Sequence, residues 1–114
     1  MKITRLEQCD TQPIHMEGVA GAIKQVPIGK ADGAPHFSIR VFTLEPGGHT
    51  PHHSHETEHL NYILDGRGEV LEGDEPRPIR RGDFVLVKPH EKHQYRNTGD
   101  QPLVFMCMVP SDYE

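Results

Sequence analysis

Short apolar runs separated by glycine, proline and aspartate recur along the whole chain, and none keeps a helical period over a useful length. Alternation of apolar and polar residues within these runs indicates half-buried strands. The predicted strands are Ile14–Met16, Gly21–Ile28, Phe37–Leu44, Glu58–Asp65, Gly68–Glu72, Arg77–Ile79, Asp83–Val87, His93–Asn97 and Leu103–Val109. Many short strands with frequent turn residues favour an all-β barrel or sandwich.

The turn residues divide this pattern into hairpins and longer connections. Asp65-Gly66 and Gly73-Asp74 are dipeptides typical of hairpin turns, so both are predicted to close hairpins. The segment 29–35 combines glycine, alanine and proline and is predicted to be a connecting loop.

Two strands can line a cavity, and Arg40 is the residue whose direction matters most. In Phe37–Leu44, one face carries Ser38, Arg40, Phe42 and Leu44, and both faces are partly apolar, so alternation alone leaves the inner face open. Facing inward, Arg40 could bind a carboxylate or enolate oxygen, whereas facing outward it would be an ordinary solvated side chain. In Leu103–Val109 we expect Phe105 and Cys107 to face the interior of the barrel. There they would lie either near a metal site or in the hydrophobic core without a chemical role.

The histidines between positions 49 and 59 are the strongest chemical signal in the chain. His53 and His55 share a strand face, and His59 keeps that parity if the backbone bends around them. His93 follows a turn, a buried run and a proline, so it opens a strand that can supply a fourth imidazole. Imidazole is a common ligand for transition metals, and four such rings predict one metal ion per chain. His49 is placed at the pocket rim, and Tyr95 is a weaker candidate for a catalytic hydroxyl.

Two segments together resemble the paired motifs of the cupin superfamily. Gly47, His53, His55, His59 and Gly66 take the places of the first motif, with His59 where most members carry glutamate and Glu58 one step earlier. The second motif is matched by Gly82, Pro89, His93 and Asn97, with Glu91 where a glycine is usual. The likeness covers roughly residues 35 to 110 and is greatest to small cupins with a four-histidine metal site.

This resemblance implies a fold, a cofactor and an assembly. The fold would be a double-stranded β-helix, the cupin jelly-roll barrel, with residues 1–114 as one domain. The metal would be Mn or Fe, with Cu, Ni, Co or Zn as alternatives, and Glu58 could replace His59 as a ligand. We also expect a homodimer in which the N-terminal strands within residues 1–30 are exchanged between subunits.

Composition bears on the stability of the fold and on the partners that the protein can have. Hydrophobic residues make up 34% of the chain, so the core is modest, and metal binding or dimerisation would stabilise it. The formal net charge is -5, and the 12 basic residues are dispersed, which argues against nucleic acid and anionic membranes as partners. Without an apolar signal segment, and with Cys9 and Cys107 as the only cysteines, a cytoplasmic protein with free thiols is expected.

Three functions are compatible with such a site. The first is a metal-dependent dioxygenase that acts on a small organic substrate bound beside the metal. The second is a non-redox isomerase or lyase on a sugar or small acid, in which the metal polarises a carbonyl and a base moves a proton. The third is a barrel that binds a small ligand without catalysis. The motif predicts the metal ligands more specifically than it predicts the reaction.

Overall fold

The computed structural model describes residues 1–114, which form nine strands and three short 3₁₀ turns. The strands are β1 (Gln12–Pro13), β2 (Ala20–Ile28), β3 (Phe37–His49), β4 (His59–Asp65), β5 (Arg67–Glu72), β6 (Glu75–Arg80), β7 (Phe84–Val87), β8 (His93–Arg96) and β9 (Leu103–Pro110). The 3₁₀ turns are Leu6–Gln8, Lys30–Asp32 and Ser111–Tyr113, and none of these could span a bilayer. The predicted all-β class is confirmed.

The strands form one curled sheet in the order β6-β5-β8-β3-β9-β4-β7, with β2 also paired to β3 and β1 paired to β2. All of these pairings are antiparallel. Most of β3 lies between β2 and β9, while its last residue, His49, pairs with Arg96 of β8. The long strand β3 therefore joins the two halves of the barrel, as expected for a jelly roll.

Strand β3 extends five residues beyond the predicted end at Leu44 because glycine allows close backbone contact there. A Cβ atom on Gly48 would lie 2.8 Å from the carbonyl oxygen of Gly21. The Asn97 and Gly48 backbones are also hydrogen-bonded at 2.9 Å, and the Asn97 side-chain amide donates to the Leu44 carbonyl at 2.9 Å. These contacts hold the end of β3 against the residues that follow β8.

The core fills the space between the two halves. It comprises Ala22, Leu44, Ile63, Val70, Ile79, Tyr95, Leu103 and Phe105, all at most 8% exposed. Tyr95 stacks on Phe105 with ring centroids 4.3 Å apart, and its hydroxyl donates to the Asn61 side chain at 2.9 Å. Burial of these side chains is the main stabilising contribution in a chain of this size.

One predicted hairpin is wrong. Gly73-Asp74 closes the hairpin of β5 and β6, but Asp65-Gly66 carries the chain from β4, which pairs with β7 and β9, to β5 in the other half of the barrel. Gly66 has a φ of +81°, and a Cβ there would meet the Pro102 carbonyl oxygen. The left-handed backbone and the close approach to Pro102 require glycine at this position. The Asp65-Gly66 dipeptide therefore forms a connection between the two halves of the barrel and not a hairpin turn.

Candidate metal centre and pocket

The loop that carries the first histidines is fixed to β8 by backbone hydrogen bonds. His53 and His93 exchange both backbone hydrogen bonds, at 3.1 and 2.9 Å. Thr50 and Tyr95 form a second pair, in which the Thr50 amide donates to the Tyr95 carbonyl at 3.0 Å and the Thr50 hydroxyl accepts from the Tyr95 amide at 2.9 Å. Further along, the His90 amide donates to the His55 carbonyl at 2.7 Å. The backbone thus sets where the imidazoles lie.

Three imidazoles converge at this place. His53, His55 and His93 each offer a nitrogen, and these atoms all lie within 4.8 Å of one another. Nitrogen ligands at about 2.1 Å from one ion lie about 3 Å apart when adjacent and about 4.2 Å apart when opposite, so this grouping is compatible with one shared ion. The His93 Nδ1 lies 2.9 Å from the Glu91 carbonyl oxygen and donates to it, which leaves Nε2 with its lone pair for a metal.

His59 lies beside this trio but is not one of the three converging donors. Its ring centroid is 4.4 Å from that of His55 and 5.7 Å from that of His93. Glu58, the alternative ligand, is exposed and is not among the converging donors. His52 points elsewhere, because its Nε2 lies 2.7 Å from the Gly73 carbonyl oxygen.

The donor set fits a transition metal. Both ring nitrogens of His55 and the Nε2 of His59 are buried without a hydrogen-bond partner, although buried polar atoms are ordinarily paired. A metal ion would satisfy such nitrogens. An all-imidazole set suits Mn, Fe, Co, Ni, Cu or Zn and does not suit hard oxygen-seeking ions such as Ca²⁺.

Burial favours the neutral form of three of the imidazoles, those of His53, His59 and His93. It lowers the pKa of His53, with the neighbouring imidazoles of His93 and His55 adding to the shift. Burial, followed by the Arg40 charge, lowers the pKa of His59 to about 3. Burial also lowers the pKa of His93, against the opposing effect of its hydrogen bond to Glu91. Neutral imidazole is the form that binds metal.

We expect the metal-free protein to lose stability as pH falls from 7.5 to 5. The folded pKa values of these histidines lie below the unfolded value of about 6.5, so the unfolded chain binds more protons between pH 6.5 and, for His59, about 3. The free energy of unfolding therefore decreases as pH falls through that window. Thermal unfolding in EDTA at several pH values measures it, and a His59→Phe variant should show a weaker dependence. A midpoint that stays constant over this range would contradict the expectation.

A cavity of about 270 Å³ opens beside the histidines. His53, His59 and His93 line one side of it, and the inward face of β3 and β9 lines another with Arg40, Phe42, Phe105 and Cys107. Tyr95 also contributes to the wall, and burial raises the pKa of its phenol well above the usual value, so the hydroxyl stays protonated. His49 is half-buried near Gln94, outside the residues that line the cavity.

Arg40 lies on the inward face of β3 and has no carboxylate partner. The residue is 7% exposed, and its Nε is buried without a hydrogen-bond partner. Its Nη2 donates to the Cys107 sulfur at 3.2 Å, and its Cζ lies 5.0 Å from the Phe42 ring centroid. Alternation within β3 could not decide whether Arg40 points inward. The pairing of β3 with β9 decides it, because Arg40 lies opposite Cys107, which is buried, and paired residues share a face of the sheet.

Lys24 and Tyr113 also line the cavity, and the sequence pattern indicated neither as a site residue. Lys24 of β2 is half-buried, and burial together with the Arg40 charge lowers its pKa. Tyr113 follows β9 in a 3₁₀ turn that no periodicity predicts. Only Lys24 had a usable signal. It lies two residues after Ala22 in the same strand, so the two side chains share a face, and Ala22 faces the core.

Comparison with known proteins identifies the family. Residues 40–109 match the family model described as "Cupin domain". The chain belongs to the cupin family. The matched segment contains the three converging histidines, His59 and Arg40, so this cupin carries its candidate site within the part of the chain that defines the family.

Its relatives differ in what their names describe. The chain is 34% identical to 1-methylthio-D-xylulose 5-phosphate methylsulfurylase from Rhodospirillum rubrum, over 65% of this cupin and 47% of that protein. It is 30% identical to an oxalate-binding protein from Thermotoga maritima, over 83% of this chain and 81% of the relative. The solved structure of the polyketide cyclase RemF from Streptomyces resistomycificus superimposes with a TM-score of 0.92 and 25% identity, covering 97% of this chain and 80% of that one. The cupin thus spans about half the length of the first relative and most of the other two.

Proposed function

We propose that this cupin is a metal-dependent enzyme of the dioxygenase type that acts on a small organic anion. In this proposal His53, His55, His59 and His93 hold one divalent transition metal, with Mn or Fe expected first, and Arg40 binds the negative group of the substrate. The observation that carries the proposal is a buried guanidinium without a counter-ion in the same cavity as the histidines.

The anion follows from the electrostatics of that cavity. No aspartate or glutamate is among the residues that line it. A buried charge without a partner costs several kcal/mol, and a bidentate carboxylate is the ligand that a guanidinium binds best. Because Arg40 also lowers the pKa of His59, its charge acts at the histidines as well. A substrate carboxylate or enolate would therefore be held beside the metal.

His59 is proposed as the fourth ligand. Its Nε2 is buried and unpartnered, and its ring packs on His55, a member of the converging trio. As a ligand, this nitrogen would share the ion with the three converging donors. A direct check is the metal affinity of His59→Ala, which should be weaker than that of the wild type.

The phenol that the sequence nominated for catalysis, Tyr95, is not free to move a proton, and this supports oxygen chemistry at the metal. A divalent metal bound by neutral imidazoles supplies a Lewis-acidic and redox-capable centre. The Tyr95 hydroxyl is occupied by Asn61 and stays protonated, so it is a poor base. In this proposal the protein binds and orients the anion through Arg40, and the Phe42 and Phe105 rings exclude water from the cavity.

The test is oxygen consumption by protein reconstituted with Mn²⁺ or Fe²⁺. A β-diketone, a catechol and a hydroxybenzoate would each be added in an oxygen electrode, with metal-free protein as the control. Metal-dependent oxygen uptake with cleaved product supports the proposal. Absence of uptake with every substrate, in protein shown to contain metal, would argue against a dioxygenase.

A second candidate is non-redox catalysis such as isomerisation, elimination or cyclisation. Lys24 favours it, because an amine with a lowered pKa lines the same cavity and could accept a proton. The backbone likeness to a polyketide cyclase also supports it. In this case Lys24→Met should reduce anaerobic turnover by roughly 100-fold, the low end of general-base contributions. Binding of a small acid without turnover in either atmosphere would instead support a ligand-binding barrel.

We also propose that residues 1–114 form one domain that assembles as a homodimer with exchange of strands from residues 1–30. Within one chain β1 pairs with β2 and β2 pairs with β3, so an exchanged dimer would replace these with equivalent contacts. The outer face of β4 and β7 supports an interface, since Leu60, Phe84 and Leu86 are 42%, 82% and 52% exposed. Light scattering should give a dimer mass that Phe84→Glu reduces. A monomer at micromolar concentration would contradict the assembly.

A further inference from the structure

The turn that follows β9, Ser111–Tyr113, contributes Tyr113 to the lining of the cavity. Ser111 is 8% exposed, and its amide donates to the His36 carbonyl at 2.9 Å. The Glu114 carboxylate accepts from the Lys30 amide at 2.8 Å and from the Ser38 hydroxyl, which lies on the inward face of β3. These contacts attach residues 111–114 to two neighbouring elements, so the turn has a defined position.

Further bonds make this attachment strong. The Lys24 ammonium donates to the Glu114 backbone oxygen at 3.0 Å. The hydrogen bond from Ser38, followed by that from the Lys30 amide, lowers the pKa of the Glu114 carboxyl, so it is ionised at neutral pH. Charge-assisted hydrogen bonds of this kind are stronger than neutral ones. The turn therefore behaves as part of the cavity wall.

Tyr113, which this turn carries, packs over the candidate metal site. Its ring centroid lies 5.2 Å from that of His55 and 5.6 Å from that of His59. The Arg40 Cζ lies 5.5 Å from the same ring, so the guanidinium has an aromatic neighbour in both Phe42 and Tyr113. Burial raises the pKa of the Tyr113 phenol, which keeps it neutral at physiological pH.

We propose that Tyr113 is a specificity-determining residue that selects planar aromatic acids over non-planar acids of the same size and charge. The inference rests on the proposed function, because it takes Arg40 as the anion site. A carboxylate paired edge-on with Arg40 places its carbon skeleton near the rings beside that guanidinium. Aromatic groups gain from offset or edge contacts with such rings, by roughly 2- to 12-fold in affinity for each pair, and a puckered ring does not make them as well.

Benzoate and cyclohexanecarboxylate are matched probes for this selection, since both are six-membered monocarboxylates. Their dissociation constants would be measured by calorimetry on the Mn²⁺-loaded protein. We expect the wild type to prefer benzoate by at least threefold, Tyr113→Phe to keep that preference, and Tyr113→Leu to lose it at unchanged metal content. Ser38→Ala, which removes one attachment of the turn, should give an intermediate ratio.

The outcomes separate this inference from the function on which it rests. Equal binding of both acids by the wild type, or an undiminished benzoate preference in Tyr113→Leu, overturns the role of Tyr113 and leaves the anion site in place. A wild-type ratio in Ser38→Ala overturns the role of the turn. Failure of both acids to bind, or unchanged affinities in Arg40→Met, overturns the anion site and this inference with it.

Discussion

His55→Ala should abolish stoichiometric metal binding and remove the stabilisation that metal provides. His55 belongs to the converging trio, and both of its ring nitrogens are buried without a partner. Loss of groups that only support a ligand already costs metal affinity about 10- to 100-fold, so loss of a ligand should cost roughly 100-fold or more. Metal at 100 times its dissociation constant stabilises a fold by about 2.7 kcal/mol, and most of this is lost when affinity falls 100-fold.

Elemental analysis and thermal unfolding with and without metal measure this effect. For a chain of this length, the unfolding midpoint of His55→Ala should lie roughly 10 °C below that of the wild type when metal is present. In EDTA the two midpoints should differ little. His15→Ala is the matched control, because His15 is exposed and does not belong to the converging donors. Unchanged metal content in His55→Ala would show that the ion binds elsewhere.

Arg40→Met should lower activity without lowering the stability of the fold. The substitution removes the proposed anion ligand, and a charge-assisted pair of about 1.5 to 3 kcal/mol corresponds to a loss of roughly 10- to 150-fold in kcat/KM or anion affinity. It also replaces a buried unpaired charge with an apolar side chain of similar length, a change that is often neutral or stabilising. The unfolding midpoint should therefore stay constant or rise while function falls.

Arg77→Met is the control for this variant. Arg77 is exposed and pairs with Glu72 at the surface, so its replacement should change neither activity nor stability by much. A marked fall in the stability of Arg40→Met would indicate a structural role for the guanidinium through Cys107 and Phe42. Full activity in Arg40→Met would contradict the anion site directly.

The sequence predicted the positions of most strands because alternation is a local property. Of the four histidines predicted to converge, the structure brings His53, His55 and His93 together and leaves His59 beside them. The direction of Arg40 depended on the pairing of β3 with β9, which is a contact between distant parts of the chain. The corner at Gly66 depended likewise on its approach to the Pro102 carbonyl. Tyr113 reached the site through a turn attached by Glu114, and no local pattern encodes that contact.

The reciprocal backbone hydrogen bonds between His53 and His93 bear on when the proposed metal would bind. They join main-chain atoms and do not pass through the imidazoles, so ligand placement is a property of the folded polypeptide. On this basis, an ion would enter or leave the folded barrel without unfolding it. The identity of the bound ion would follow the supply of free metal that the mature protein meets, and changes in that supply could alter its chemistry without new synthesis.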